Sequence, residues 1–332
     1  MLLYFKEKGN DGMASFIGIG VDIGGTMIKA ARVSQRGEMF MPLRHPTPTR
    51  SREGIISLVS DMIEEQISSL DDCSNIAVGI GFPGYCDDSG YIIGGAYNLP
   101  DWHDFNLAQE ISAKIAYPVY TNNDASLAAF GEYASYYAQS VQNLAYLGLG
   151  TGVGGGLVIR GKLYSGVHGF GTEFGHLVVD PSGPICVCGR RGCLETIASR
   201  KGLAIQARTL IERHGLLTQF ARDVAVASRD FEPEEIFRYA ESGDSLAIEL
   251  LDNMCDAIAR ACDTLAVLLA PEIIVLGGGI MNAGSLILDN VRKRFEHYCM
   301  PDFLPHIHIE PAHCGENSGI IGAGLYALSH LA

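Results

Sequence analysis

The chain has 332 residues, enough for about two domains of ordinary size, and its 47% hydrophobic content fits a well-buried core. The net charge of −14, with no basic run longer than Arg190-Arg191, argues against a nucleic-acid surface, though backbone N–H groups and a divalent ion can still hold phosphate locally. The nine cysteines include six outside one cluster and form no secreted disulfide frame. No run reaches membrane-span length and the first fourteen residues hold no apolar signal stretch, so a cytoplasmic protein is expected.

Residues 16–22 (Phe-Ile-Gly-Ile-Gly-Val-Asp) read as a buried strand, and 27–33 as its hairpin partner across Gly24-Gly25-Thr26. A third strand is expected near 38–44. Arg52 to Ser69 carries Ile55, Ile56, Leu58, Val59, Met62, Ile63 and Ile67 at helical spacing. A strand over 76–81, a loop rich in Gly, Asp and Tyr, a helix over 105–115 and a short strand at Val119-Tyr120-Thr121 follow. A helix starts near Asp124 and runs to about Tyr137. The pattern then resets: residues 144–159 again read strand, Gly/Thr turn, strand, a weak internal repeat of 16–33. Two such units predict a duplicated α/β architecture with a cleft between its halves. Residues 245–270 form a long apolar helix, 272–276 a strand, and Gly319 to His330 the last helix.

Several loops carry chemistry. In Asp22-Ile23-Gly24-Gly25-Thr26, with Lys29 just beyond, a glycine turn exposes backbone N–H groups that can hold phosphate oxygens. Thr26 adds a hydroxyl donor, and Asp22 is placed to hold a hydrated Mg2+. An ordinary tight hairpin is the plainer alternative. Gly150-Thr151-Gly152 repeats the logic in the second half. Gly277-Gly278-Gly279, after an apolar strand, lets a flat base or ribose approach the backbone, at a spacing that is not the dinucleotide fingerprint. Asn122-Asn123-Asp124 marks a strand-to-helix junction. Asp124 is either an N-cap or, beside phosphate loops, a carboxylate able to accept a hydroxyl proton during phosphoryl transfer.

The cluster His176…Cys186-Val187-Cys188-Gly189-Arg190-Arg191-Gly192-Cys193-Leu194-Glu195 offers three thiolates and an imidazole. These can close a tetrahedral shell around Zn2+ with no open position, a structural site. Buried thiols or a disulfide are the alternative. Beside the cluster lie Glu173 and Glu195, which suggest a polar ligand pocket.

Taken together, Asp-x-Gly-Gly-Thr, Glu-x-Gly-His and Cys-x-Cys-Gly-x-x-Gly-Cys-x-Glu resemble the ROK family of sugar kinases and related repressors, within the sugar-kinase/Hsp70/actin superfamily. The resemblance covers about Gly18 to Leu325. It implies an α/β, two-domain, ribonuclease H-like fold with an interdomain cleft. A small domain would span 15–123, with the helix at about 318–330 packed back on it. A larger one would span 124–317 and carry the zinc loop 176–193. By the same resemblance Asp124 is the catalytic base, and Gly84, Asn98, Asn123, Asp124, Glu173, His176 and Glu195 contact sugar. Asp22, Gly24, Gly25, Thr26, Lys29, Gly150, Thr151, Gly152, Gly277 and Gly278 attend ATP, and His176, Cys186, Cys188 and Cys193 bind zinc. The implied activity is ATP-dependent phosphorylation of a hexose, glucose at its 6-hydroxyl, in a homodimer using Mg2+. The alternative substrates are N-acetylmannosamine and N-acetylglucosamine. A sugar-responsive repressor is the reading from another class. The family's repressors carry a helix-turn-helix that the fifteen or so residues before the first strand are too few to build.

Overall fold

The computed structural model describes residues 16–48, 51–68, 70, 75–96, 99, 101–226 and 232–331. The chain divides into two units. One comprises residues up to Leu144, Gly156–Thr172 and the segment from His313; the other comprises Ala145–Gly155 and Glu173–Ala312.

The first unit opens with strands β1 (Phe16–Ile23), β2 (Met27–Ser34) and β3 (Met39–Pro46), followed by helix α1 (Arg52–Ser68). β4 (Asn75–Phe82), β5 (Tyr85–Cys86), β6 (Tyr91–Gly94) and β7 (Phe105–Asn106) lead to α2 (Leu107–Ser112). β8 (Val119–Asn123) feeds α3 (Asp124–Glu132). β1 and β2 form the expected hairpin, with Asp22 opposite Lys29. β4 pairs parallel to β1, and β8 parallel to β4, giving the order β3-β2-β1-β4-β8. Apolar residues recur at helical spacing along α1, so Ile55, Val59, Met62 and Ile63 share one face. They join Ile19, Val21, Ile28 and Ile80 of the sheet in one core. Trp102, the only tryptophan, is buried there between the rings of Phe82 and Phe105.

Several helix boundaries differ from expectation: α2 stops at Ser112 rather than 115, and the last helix spans Ser318–Leu328 rather than Gly319 to His330. The helix predicted from 105 begins at Leu107, because Asn106 Oδ1 accepts from Gln109 N (2.8 Å) and caps it, leaving 105–106 in β7. The helix predicted to Tyr137 ends as α-helix at Glu132 and continues as one π-helical turn, Tyr133–Tyr137.

The second unit begins in β9 (Leu144–Leu149) and β10 (Val153–Ile159), the latter leaving it at Gly156; β11 (Lys162–Leu163), which follows, belongs to the first unit. Then come α4 (Glu195–Ala198), α5 (Arg200–His214), α6 (Gln219–Val226), α7 (Pro233–Glu241) and α8 (Ser245–Leu269). β12 (Ile273–Gly277), α9 (Ser285–Tyr298) and β13 (His308–Pro311) complete it. The sheet order β11-β10-β9-β12-β13 repeats that of the first sheet, so the sequence repeat is a repeat of topology. α8 starts on Asp244, whose carboxylate accepts from Leu246 N and Ala247 N, and it stops at Ala270 in left-handed conformation. No helix among the described residues is long and apolar enough to cross a membrane.

The last helix, α10 (Ser318–Leu328), belongs to the first unit and packs on β1, β4 and α3. The packing is backbone to backbone. A Cβ at Gly79 would lie 1.8 Å from the carbonyl oxygen of Ala323, and one at Gly322 1.8 Å from that of Leu127. α3 also stays with this unit, since it packs against α10, β4 and β8. A division after residue 123 would separate it from them.

Candidate active site and metal centre

In the first unit the hairpin turn between β1 and β2 is tied by Gly24 N donating to Met27 O (3.0 Å). Thr47 Oγ1 donates to Gly24 O (2.7 Å), and Thr47 N to Thr26 O (2.9 Å). Gly25 and Thr26 stand exposed at its tip. Lys29 is more enclosed and lies 3.7 Å from Glu316 Oε2, while Arg44 meets Glu316 Oε1 at 2.8 Å.

Asp22 is the penultimate residue of β1, two residues before Gly24 of the turn. Its carboxyl pKa is pushed up to about 6, first by burial and then by the nearby charge of Asp124, with Lys29 pulling the other way. Asp124 is raised above the ordinary carboxylate range by burial, against hydrogen bonds from its own backbone. Its Oδ1 accepts from Ala125 N at 2.7 Å. The N-cap of α3 is Asn123, not Asp124: Asn123 Oδ1 accepts from Ser126 N (3.0 Å). That leaves the Asp124 carboxylate without the capping duty that was its plainer explanation. Asn123 Nδ2 donates to Gly84 O (3.3 Å), so two of the expected sugar residues meet. Asn98, the further expected sugar contact, lies outside the described residues.

In the second unit Glu173 precedes, and His176 ends, a 3₁₀ turn, Phe174–His176. His176 Nδ1 lies 3.5 Å from Cys186 Sγ, and Cys188 Sγ lies 3.6 Å from Cys193 Sγ. All four donor atoms fall within 4.8 Å of one another. A tetrahedral shell with Zn–S bonds of about 2.3 Å has S···S edges of about 3.8 Å, so the cage fits such an ion and is far too open for a disulfide. Sequence local to the loop makes this shape. Cys186 N donates to Arg190 O (2.7 Å) and Gly189 N to Cys186 O (2.9 Å). Gly192 sits at φ +73° with its would-be Cβ 1.5 Å from Asp180 O, a place only glycine can occupy. The other imidazole nitrogen, His176 Nε2, faces Glu173 Oε2 at 3.9 Å.

Glu195 opens α4, and its Oε2 accepts from Val153 N at 3.0 Å, just after the Gly150-Thr151-Gly152 turn. The turn is closed by Gly150 N to Gly152 O (2.9 Å), and Gly150 O accepts from Arg200 N (2.9 Å). Gly277 ends β12 against the Tyr146 hydroxyl. Gly278, at φ +86°, lies against the Leu149 carbonyl. The Gly150-Thr151-Gly152 turn and the β12 end thus share this unit with the cysteine loop.

The sequence reading missed Glu132 and, while naming Asn122 in its motif, gave it no role. Asn122 is buried, and its Oδ1 accepts from Asn123 N (2.8 Å) while its Nδ2 donates to Ser165 Oγ (3.2 Å). Glu132 is a fully buried carboxylate ending α3. One charged residue closing the apolar run Leu127-Ala128-Ala129-Phe130-Gly131 was the signal for it.

The ROK family model matches residues 18–330, and the chain belongs to this family. It is 33% identical to the glucokinase of Thermotoga maritima over 306 residues, covering 92% of this chain and 95% of that protein. It is 30% identical to the N-acetylmannosamine kinase of Salmonella typhimurium, covering 93% and 97%. Among solved structures, the ROK glucokinase from Streptomyces griseus in complex with glucose and AMPPNP superposes with a TM-score of 0.78 at 32% identity, covering 94% of this chain and 99% of that one. The fold is that of the sugar-kinase/Hsp70/actin superfamily.

Proposed function

We propose that this protein is an ATP-dependent glucokinase that phosphorylates glucose at its 6-hydroxyl. The observation that carries the reading is the Asp124 carboxylate. It is relieved of capping by Asn123, raised in pKa by burial, and stands within electrostatic reach of Asp22 beside the glycine hairpin. Asp124 takes the hydroxyl proton as the sugar oxygen attacks the γ-phosphorus, and the bond to the leaving ADP oxygen breaks. By the family resemblance, Gly84, Asn123, Glu173, His176 and Glu195 are the residues that would hold sugar hydroxyls. The turns at Gly24-Gly25-Thr26 and Gly150-Thr151-Gly152, with Lys29, Gly277 and Gly278, attend ATP. Asp22 would hold a hydrated Mg2+, whose charge would offset that of the phosphates.

His176, Cys186, Cys188 and Cys193 would hold a structural Zn2+, whose chemistry is to fix the loop. With Nδ1 turned toward the cage, His176 presents Nε2–H toward Glu173. The similarity to glucokinases, one of them solved with glucose and AMPPNP, favours glucose over N-acetylmannosamine. A coupled ADP-release assay with glucose, N-acetylmannosamine and N-acetylglucosamine tests this. Glucose should give the highest kcat/KM; preference for either N-acetyl sugar would replace glucose as substrate, and no turnover with any sugar would sink the kinase reading.

A further inference from the structure

Glu132 lies eight residues beyond Asp124, at the other end of α3, and its carboxylate is buried. Its Oε2 accepts from His313 N (2.8 Å), and its Oε1 from Cys314 N (2.9 Å) and Ser318 Oγ (2.7 Å). These three donors bracket the short segment that leads into α10. The same segment carries Glu316, which meets both Lys29 and Arg44. Immediately after it comes Gly319, where an added Cβ would sit 3.7 Å from the Asp22 carboxyl carbon. One buried carboxylate therefore fastens the helix that starts at Asp124 to the segment that touches Asp22 and Lys29.

We infer that Glu132 is a positioning residue for the nucleotide-phosphate hairpin, acting through residues 313–319 on Asp22 and Lys29. The inference rests on the kinase reading above. A carboxylate suits the post because it accepts from three donors and has no hydrogen to offer back. An amide cannot replace it. In Glu132→Gln, an oxygen at the Oε1 place keeps Cys314 N and Ser318 Oγ, while the amide NH2 is set against His313 N, a donor facing a donor. The segment must shift to relieve that contact.

The test is binding of AMPPNP with Mg2+ by calorimetry, together with steady-state constants for ATP and glucose, on wild type, Glu132→Gln and the milder Ser318→Ala. Misplacing a positioning group costs up to roughly a hundredfold, so Glu132→Gln should weaken AMPPNP and raise the ATP KM by about ten- to a hundredfold. Glucose KM should stay within about twofold. Ser318→Ala, which leaves both backbone bonds, should move the ATP constant in the same direction by less. A lowered melting temperature with unchanged AMPPNP affinity in the folded fraction would make Glu132 merely structural and overturn the inference. Equal loss for glucose and AMPPNP would overturn it too. If Glu132→Gln does not fold, an unchanged ATP constant in Ser318→Ala overturns it. Wild type that binds AMPPNP without phosphorylating any sugar would refute the kinase reading alone, since the binding comparison still decides the role of Glu132.

Discussion

Glu195 Oε2 accepts a hydrogen bond from Val153 N at 3.0 Å, and Glu195 stands two residues after the metal-loop cysteine Cys193. One carboxylate thus joins the cysteine loop to the second glycine turn. A metal that fixes Cys193 would fix more than the groups proposed to hold sugar.

Removing the metal should therefore weaken both substrates. One zinc per chain is expected by elemental analysis of the purified protein, and Cys188→Ser should lower that content and the melting temperature. Apparent constants for glucose and ATP should both rise in the folded variant. Full activity and unchanged melting in metal-free protein would sink the structural-zinc proposal.

Asp124→Asn keeps shape and removes the proton acceptor. Turnover should fall by roughly 10²–10⁴-fold, the usual contribution of a positioned base. Glucose affinity should survive, and so should stability, because the cap of α3 belongs to Asn123. Near-normal turnover would leave the proposed reaction without its base.

Acid should silence the enzyme early for a carboxylate mechanism. Asp124 titrates above the ordinary range and Asp22 near 6, so kcat/KM should fall as pH drops below about 6. Stability runs the opposite way for Asp22. A carboxyl whose folded pKa exceeds its unfolded value of 3.8 binds its proton more tightly when folded, so its stabilising share is whole below 3.8 and is lost as pH rises through about 6. Asp22→Asn should therefore gain stability over wild type as pH climbs across that window. A difference in melting temperature that stays flat from pH 4 to 7 would contradict the raised pKa.

Gly25→Val probes the first turn cleanly. Gly25 is exposed at the hairpin tip, so the branched side chain meets solvent in the free protein and obstructs only an approaching phosphate. The melting temperature should hold while the apparent ATP constant rises at least about tenfold, a change of about 1.4 kcal/mol in binding. Unchanged ATP kinetics would reduce the turn to an ordinary hairpin.

Much of this site was legible because its residue types are hard to explain otherwise. Three cysteines and a histidine so closely spaced ask for a metal, and the structure brings their donor atoms together. Glycine-rich turns after buried strands located both hairpins. The carboxylate network of Glu132 was not legible, because its donors His313, Cys314 and Ser318 lie more than 180 residues away and two of them act through backbone. The capping of α3 by Asn123 rather than Asp124 escaped for a different reason. Both residues are good caps, and only the backbone register of β8 into α3 decides between them. Helices α5–α7, between the metal loop and α8, carry short or mixed apolar patterns that periodicity alone does not separate from loop.

The placement of α10 governs the order in which this protein can assemble. Its backbone presses on β1 and β4, elements more than 200 residues earlier, and no side-chain layer cushions the contact at Gly18 or Gly79. The unit that spans Ala145–Gly155 and Glu173–Ala312 has all its strands and helices before α10 is made. On the ribosome it is free to mature first, while the β1–β4–β8 sheet waits with one face only partly covered, by α3, until residues 318–328 emerge. Such distant closure is slow and exposes apolar surface meanwhile, so truncations that clip α10 should yield aggregation rather than a weaker enzyme.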